Sequence, residues 1–338
     1  MNNNIFCTLF DSNYLDKGLI LYKSMVDKIG EFRLYIFAFD DTCYDILTKE
    51  NLKNVVVIKL SDFETDEMKN VKQQRTATEY CWTCTPLTIK YVLEHFNEKI
   101  CTYIDADMMF FSNPQRVFDI MDKNNKSIII VPHRYNSKRQ EKKEGERTGY
   151  YCVEFNTFKN DDNGNKALNW WAKSCLEWCY YTLPKKNRWY GDQKYLNCFP
   201  TKFEGVFICN DIGFGLAPWN DKHAKLSLDK ENTVNCKNKE AQIVFYHLAG
   251  VKYINEDIIV VSSRTKDKNL HKYIFDEYIK KVLFERKYIF EKYGFEISKS
   301  KRPLTKNRLI NLYQKKIMIF KHKLRKNNVY YTNKIHSR

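Results

Sequence analysis

The sequence predicts an α/β protein built on a parallel, doubly wound sheet, followed by a basic helical extension. Short apolar runs alternate with helical patterns through the first hundred residues, which is typical of successive strand–helix–strand units. The net charge of +16 lies entirely within residues 264–338, which hold 22 Lys and Arg against 6 Asp and Glu. We therefore predict a neutral globular domain at 1–263 and a separate basic helical extension at 264–338.

The predicted elements follow one another in chain order, and each rests on an apolar run or a helical spacing of apolar residues. Apolar runs rich in β-formers predict strands at 4–10, 33–40, 55–60, 100–105, 127–134, 150–158, 205–210 and 243–250. Helical spacing predicts helices at 13–29, 44–52, 85–96, 165–181, 270–295 and 303–326. The polar, glycine-containing stretch at 134–149 predicts a mobile loop.

Composition excludes several classes of protein. With 43% hydrophobic residues the chain can build a core, so it is not a disordered protein. Because residues 1–263 balance their charges, the high isoelectric point gives no reason to expect nucleic-acid binding by this part. The first residues lack the pattern of a secretory signal, so we expect the 11 cysteines to be reduced thiols in the cytoplasm. Cys81 and Cys84 form a CxxC without a second ligand pair, which favours structural thiols over a metal or redox site.

Two carboxylates, Asp105 and Asp107, directly follow the predicted strand at 100–105, within the apolar run CTYIDADMMFF. Such neighbours repel each other and are costly to desolvate. A divalent cation resolves both problems, and Mg²⁺ or Mn²⁺ typically binds one or two carboxylates together with substrate phosphates. The alternative is a turn in which an aspartate caps the next helix, but Ser112 and Asn113 are better placed for capping. We interpret the acid pair as a site for a metal and a diphosphate.

A second polar group, His247, Gly250 and Lys252, ends the predicted strand at 243–250. Histidine with two aspartates is a reasonable set of Mn²⁺ ligands, and lysine can meet a phosphate as a point charge. Taken alone, His247 is better interpreted as a buried, hydrogen-bonded histidine at a strand end.

Two further stretches carry candidate residues with open alternatives. In GDQKYLN, Asp192 is either a helix cap or a carboxylate beside the reacting group, and the sequence does not separate the two. In GFGLAPWN, Trp219 is suited to stacking on a sugar face or to filling a packing corner.

Together the segments CTLFDSNYLDKGLILYKS, YIDADMMFF, GDQKYLN and HLAGVK resemble, in order and spacing, the family 8 glycosyltransferases of the GT-A fold. The resemblance covers about residues 4–255, and PHR, LNWWAKSC and LAPWN are similar to segments of bacterial capsule and lipooligosaccharide transferases. It implies a Rossmann-like, doubly wound mixed sheet. It also implies transfer, with retained anomeric configuration, of a sugar from a nucleotide-diphosphate donor, usually a UDP-sugar, to a surface glycan or lipid-linked acceptor.

The resemblance further implies a role for particular residues, which group by ligand. Asp105, Asp107 and His247 would hold Mn²⁺ or Mg²⁺. The donor nucleotide and its diphosphate would contact Thr8, Leu9, Phe10, Tyr14, Asp105, Ala106, Asp107, Gly250 and Lys252, with Tyr14 stacking on the base. Asp192 and Gln193 would face the transferred sugar as catalytic groups, and His133, Arg134, Trp219 and Asn220 would contact the sugar or the acceptor.

The chain departs from the family pattern in three places. Lys90 comes late in the helix before the acid pair, YYCVEF replaces the usual Asn-Ser/Ala-Gly strand, and Tyr253 follows Lys252. Two alternatives remain on the same α/β fold, a nucleotidyltransferase and a non-catalytic protein whose basic tail binds a membrane or another polyanion. The stretch TLFDSNYLDKG differs from the glycine-rich, basic phosphate loop expected of a nucleotidyltransferase.

The region 303–326 predicts a basic amphipathic helix, in which apolar residues recur at spacings of three and four among lysines. One interpretation is peripheral binding to the inner membrane face, where lipid-linked acceptors are found. The other is that its apolar face docks on the catalytic domain or on a partner protein. The sequence gives no prediction of oligomeric state.

Overall fold

The computed structural model describes residues 4–181, 189–255, 258–297 and 328–331, so the predicted helix at 303–326 lies outside the described residues. The described strands are β1 Ile5–Phe10, β2 Arg33–Ala38, β3 Val55–Lys59, β4 Ile100–Ile104, β5 Met108–Phe110, β6 Ile128–Pro132, β7 Tyr151–Lys159, β8 Val206–Ile208, β9 Ala224–Leu226, β10 Thr233–Cys236, β11 Lys239–Gln242, β12 Phe245–His247, β13 Val251–Asn255, β14 Ile258–Val261 and β15 Asn328–Tyr331. The described α-helices are α1 Leu15–Lys28, α2 Asp41–Glu50, α3 Leu60–Phe63, α4 Asp66–Lys72, α5 Ala77–His95, α6 Gln115–Lys123, α7 Lys138–Arg147, α8 Asp162–Glu177, α9 Phe199–Lys202, α10 Lys268–His271 and α11 Glu277–Tyr293.

A seven-stranded mixed sheet with the strand order β3-β2-β1-β4-β7-β6-β8 forms the centre of the molecule. The first four strands are parallel, and β7 is antiparallel to both β4 and β6. The chain builds outwards from β1 to β3 and then returns to place β4 on the other side of β1. This reversal creates a switch point between β1 and β4, which is where ligands bind in doubly wound sheets. The predicted α/β class with a doubly wound mixed sheet is confirmed.

The central strands are buried along their whole length. Every residue of β1 and of β4 is buried, and both strands read as unbroken apolar runs, as expected for strands covered on both faces. Phe6 of β1 packs against Phe110 of β5 and Phe118 of α6, with ring centroids 6.2 and 6.4 Å apart. The sheet therefore gives a rigid support for whatever follows the ends of β1 and β4.

Helix α5 begins well before the predicted start at residue 85. Its N-terminus is a capping box, in which Thr76 accepts from the Glu79 backbone N–H and the Glu79 carboxylate accepts from the Thr76 N–H. Pro86 lies inside the helix and does not begin it. The CxxC consequently lies within α5, where Cys84 is buried and burial raises the pKa of the Cys81 thiol to about 12. Both residues are free thiols, in agreement with a structural role.

The predicted mobile loop at 134–149 is wrong, because residues 138–147 form helix α7. Ser137 caps this helix by accepting a hydrogen bond from the Gln140 backbone N–H at 3.2 Å. Almost every side chain of α7 is polar, so the stretch lacks the apolar periodicity from which helices are predicted.

The region after residue 264 packs on the domain through α11, which crosses α1. Arg286 donates to the buried Asp16 carboxylate at 3.1 Å, and Lys23 donates to the buried Glu285 at 2.6 Å. The boundary predicted at 263/264 falls between β14 and α10. The extension as far as residue 297 shares a hydrophobic core with the first 263 residues. The division into two domains remains a prediction. Among the described residues, none of the helices has the length and apolar character needed to cross a membrane.

Candidate active site

An open cavity of about 1040 Å³ lies at the carboxyl ends of β1 and β4. Its walls include the acid pair Asp105 and Asp107, together with His247 from β12 and Asp192 from the segment before a short helical turn. These residues are far apart in the sequence, and the strand order brings them to one corner of the cavity. The cavity is therefore at the switch point that the α/β topology predicts.

The two aspartates and the histidine converge on one point. His247 Nε2 lies 3.0 Å from Asp107 Oδ1 and 3.5 Å from Asp105 Oδ2. One ligand atom from each of the three residues lies within 4.8 Å of the other two. The antiparallel pairing of β12 with β5 sets this geometry, because it places His247 opposite Met108 and lets the Leu248 N–H donate to the Asp107 carbonyl at 2.8 Å.

The surroundings shift the pKa values of the two carboxyl groups in opposite directions. Burial, with a contribution from the Asp107 charge, raises the pKa of Asp105 to about 7. Burial would also raise the pKa of Asp107, but the imidazole of His247 and its hydrogen bond, together with Lys17, lower it below the usual range. Burial by itself would lower the pKa of His247, yet the charge and hydrogen bond of Asp107 raise it well above the usual value. A cation bound at this corner would favour the ionised form of Asp105 and offset the repulsion between the two carboxylates.

The helix-capping alternative for the acid pair is wrong. At the start of α6, Asn113 Oδ1 accepts from the Gln115 backbone N–H at 2.8 Å, and Ser112 Oγ donates to the Ile243 carbonyl. The carboxylates of Asp105 and Asp107 instead accept from Tyr103 Oη at 3.0 Å and from His247, respectively. His247 is buried and hydrogen-bonded, as expected of a structural histidine at a strand end. Its partners, however, are the two aspartates of the acid pair and Glu154.

Asp192 is buried and interacts electrostatically with Asp105, and its side chain does not cap the helical turn that follows it. The Asp192 carbonyl accepts from Trp171 Nε1 at 2.9 Å. Burial, with a smaller contribution from Asp105, raises the pKa of Asp192 to about 7. Gln193 also lines the cavity, and its Nε2 donates to the Thr148 carbonyl at 2.9 Å. Of the two open interpretations, the structure favours a carboxylate that faces the cavity.

One wall of the cavity comes from the end of β1 and the turn that follows. Leu9, Phe10 and Tyr14 line it, and the Tyr14 side chain is 41% exposed, which leaves its ring open to a flat ligand. The Lys17 ammonium lies 3.9 Å from the centre of the Tyr14 ring and 3.9 Å from Asp107 Oδ2. Lys17 therefore connects this wall to the acid pair.

Of the remaining predicted site residues, some line the cavity and the others lie outside its described walls. Ala106, His133 and Trp219 line the cavity. Thr8, Arg134, Asn220, Gly250 and Lys252 are not among the residues that form its described walls.

Three of these five have structural partners that account for them. Asn220 Nδ2 donates to the carbonyls of His133 and Gly215, at 2.9 and 2.7 Å, and the buried Arg134 donates to the Phe214 carbonyl. At Gly250, a side chain would meet the Ser262 carbonyl at 2.5 Å, so glycine permits close approach of two chain segments.

Several residues in and around the site were not identified from the sequence. Glu154 lies behind His247, outside the residues that form the described cavity walls, and it is the one charge in the buried middle of β7, a signal that was available in YYCVEF. Arg147 and Arg264 line the cavity. Arg147 is paired with Glu144 at 2.7 Å, whereas the guanidinium of Arg264 donates to the neutral Gln140 at 3.2 Å.

Comparison with known proteins gives distant similarities. No protein-family model matches the chain. It is 28% identical to the uncharacterized protein YfnD of Bacillus subtilis strain 168, covering 74% of this chain and 79% of that protein. The uncharacterized protein YfnF of the same strain is 27% identical, covering 74% of this chain and 82% of that protein.

Glycosyltransferases are among the solved structures to which the chain is similar. Mouse xyloside xylosyltransferase 1 is 11% identical, with 72% of this chain and 96% of that chain covered and a TM-score of 0.45. Galactosyltransferase LgtC, bound to donor and acceptor sugar analogues, is 15% identical, with 72% and 87% covered and a TM-score of 0.47. The bifunctional glycosyltransferase WbbM is 12% identical, with 88% and 52% covered and a TM-score of 0.49.

Proposed function

We propose that this chain is a metal-dependent glycosyltransferase that moves a sugar from a nucleotide-diphosphate donor, most simply a UDP-sugar, to a glycan or lipid-linked acceptor. The observation that carries the proposal is the convergence of Asp105, Asp107 and His247 at the switch point of a doubly wound sheet. This corner opens into a cavity of about 1040 Å³, which is large enough for a nucleotide sugar. The resemblance of four ordered sequence segments to family 8 glycosyltransferases supports the same function.

The donor set fits Mn²⁺ or Mg²⁺. Two carboxylates and one imidazole are ligands that Mn²⁺ accepts, and Mg²⁺ commonly binds through carboxylates and substrate phosphates. The raised pKa of Asp105 shows that the folded protein resists a second negative charge at this corner, a cost that a bound cation would remove. Such a cation would neutralise the leaving diphosphate as a Lewis acid when bound.

The wall formed by Leu9, Phe10 and Tyr14 is the proposed nucleoside site. Tyr14 offers an exposed ring on which a base can stack. Lys17 adds a positive charge between this ring and Asp107, so a diphosphate bound next to the metal ligands would lie in a positive field. The role implied for Lys252 in diphosphate binding remains a prediction.

Asp192 and Gln193 are the proposed groups on the side of the transferred sugar. With a pKa near 7, Asp192 is able to hold or accept a proton at neutral pH, so its carboxyl can orient a sugar hydroxyl as donor or acceptor. In its ionised form it would stabilise positive charge that develops on the sugar ring. Retention of anomeric configuration follows only from the family resemblance and is part of the proposal.

The acceptor is proposed to approach past two aromatic residues of the cavity wall. Trp82 and Tyr190 line the cavity with ring centroids 6.0 Å apart, and aromatic faces are suited to sugar rings. Trp219, the sugar contact suggested by the sequence, lines the cavity next to His247, with ring centroids 5.2 Å apart. Binding to a membrane through 303–326 remains a separate proposal.

A ligand screen tests this function. Unfolding temperatures are measured for a panel of nucleotide sugars with and without Mn²⁺, followed by a donor-hydrolysis assay with the ligand that binds best. We expect one nucleoside diphosphate sugar to raise the unfolding temperature in a Mn²⁺-dependent way and to be hydrolysed slowly without acceptor. Binding without turnover under any acceptor would favour a non-catalytic protein, and stabilisation by nucleoside triphosphates alone would favour a nucleotidyltransferase.

A further inference from the structure

Glu154 is a buried carboxylate to which the proposed function gives no role. It lies in the middle of β7 and is fully buried. Its Oε2 lies 2.7 Å from His247 Nδ1, and its Oε1 has no hydrogen-bond partner within the described parts of the chain. Burial of an ionised carboxylate costs on the order of several kcal/mol unless a positive charge or hydrogen bonds compensate it. An apolar side chain would serve this strand position better if packing were the only requirement.

The surroundings of Glu154 are shaped for a carboxylate. Gly215 has a positive φ of +74°, and a side chain there would collide with Glu154 Oε1. The guanidinium of Arg134, which donates to the carbonyls of Phe214 and Cys209, interacts electrostatically with the same carboxylate. Space and compensating positive charge are thus both provided at this position, as expected for a functional acid.

The backbone pairing of β4 with β7 connects Glu154 to the acid pair. The Asp105 N–H donates to the Glu154 carbonyl at 3.3 Å, so the two side chains are anchored on paired strands on either side of His247. The Trp219 ring meets the imidazole edge-to-face, at an interplanar angle of 88°. The imidazole is thereby held between Glu154 at Nδ1, the aspartates at Nε2 and the indole at its face.

We infer that Glu154 is a positioning residue that fixes the orientation and tautomer of His247 for metal binding, an inference that rests on the proposed metal site. Without a metal, the Nε2–H of His247 donates to Asp107 and the Nδ1–H to Glu154. If a metal took the place of the Nε2 proton, Glu154 would retain the Nδ1–H and the Nε2 lone pair would face the corner between Asp105 and Asp107. A ligating histidine typically donates its second N–H to a carboxylate or carbonyl, which restricts the ring and increases its basicity as a ligand. Glu154 acts through His247 and does not itself contact the metal.

A double-mutant cycle on Mn²⁺ affinity tests this role. Free Mn²⁺ is measured by electron paramagnetic resonance during titration of the full chain and of the variants Glu154→Gln, His247→Ala and the double variant. Glutamine keeps the shape but carries a neutral amide that can turn its NH₂ to Nδ1 and favour the wrong tautomer. We expect Glu154→Gln to weaken Mn²⁺ binding by about 10- to 100-fold. In the His247→Ala background, the same change should have no measurable effect, because no ring remains to be positioned.

Glu285→Gln is the matched control. Glu285 is also a buried glutamate, 3% exposed, but its carboxylate accepts from Lys23 on the α1–α11 contact and has no contact with His247. We expect its replacement to lower the unfolding temperature without changing Mn²⁺ affinity. If Glu154→Gln fails to fold, Glu154→Asp replaces it, since the shorter acid keeps the charge and cannot reach Nδ1.

The outcomes separate the inference from the proposed function. A wild-type chain that binds no Mn²⁺ would overturn the proposed metal site and the inference with it. If the wild-type chain binds Mn²⁺ and Glu154→Gln binds it equally well, the inference alone is overturned. The same holds if the losses of Mn²⁺ affinity in the two single variants add up in the double variant. Cys152 Sγ, Glu154 and His247 Nδ1 also lie within 4.8 Å of one another. A Mn²⁺ anomalous peak between these three groups would make Glu154 a ligand and likewise contradict a positioning role.

Discussion

Asp192 destabilises the folded protein at neutral pH, and replacement by asparagine measures the cost. The side chain is 5% exposed, and burial with the charge of Asp105 raises its pKa to about 7, from a model-peptide value of 3.8. The folded state therefore binds this proton more tightly than the unfolded state does. Stability is lost as pH rises from about 4 to about 7, and a difference of about 3 pH units corresponds to about 4 kcal/mol. Asparagine carries no charge and avoids this loss.

Urea unfolding in EDTA provides the assay. We expect Asp192→Asn to be more stable than the wild type near pH 8, by up to about 4 kcal/mol, and the gain to disappear near pH 4. Glu79→Gln is a control of opposite sign, because hydrogen bonds from the Tyr181 and Thr76 backbones lower the pKa of this buried acid although burial would raise it. Its replacement should reduce stability near pH 8 and have less effect in acid. Equal stability of Asp192→Asn and wild type near pH 8, or a gain independent of pH, would refute the reasoning.

Four further predictions concern other parts of the structure. Arg286→Leu removes the cation that is paired with the buried carboxylate of Asp16, which is 1% exposed. We expect this change to lower the free energy of unfolding by about 3 kcal/mol. An unchanged midpoint of urea unfolding would contradict the packing of α11 on α1. In calorimetry, Arg264→Met should weaken UDP binding about tenfold while leaving uridine binding unchanged, because Arg264 lines the cavity and has no carboxylate partner among the residues that the structure describes. Lys252→Met tests the predicted diphosphate role of Lys252, which is exposed outside the described cavity walls. In the same calorimetry, a loss of UDP affinity as large as that of Arg264→Met would support the role, and an unchanged affinity would remove it. Cys81→Ser should leave transfer rates unchanged, since burial keeps this thiol protonated, and a large specific loss would indicate thiol chemistry.

The sequence predicts those parts of the fold that are dictated by local patterns. The strands β1 and β4 are unbroken apolar runs because both faces are covered, and such runs are visible without knowledge of their partners. The acid pair is equally visible, since Asp105 and Asp107 are adjacent to one of these runs. By contrast, α7 is specified by a cap and by polar side chains, which produce no apolar periodicity.

The arrangement of the site depends on contacts that no local pattern specifies. Glu154 is 93 residues from His247 in the chain, and their hydrogen bond exists only because β7 and β12 meet at the cavity. Lys252 lies a few residues after His247, but the chain turns at Gly250 and leaves Lys252 exposed on β13, so its role in diphosphate binding stays a prediction. The residues that complete the corner were thus determined by strand order, which a single sequence specifies only weakly.

The central claim is that Asp105, Asp107 and His247 bind a divalent cation that in turn binds a donor diphosphate. A crystal structure with Mn²⁺ and UDP, using anomalous scattering at the manganese edge, tests this most directly. The account predicts one strong anomalous peak about 2.0–2.3 Å from a carboxylate oxygen of each aspartate and from His247 Nε2, in contact with the diphosphate. A structure with UDP in the cavity and no peak at this corner, with both carboxylates turned away, would contradict it.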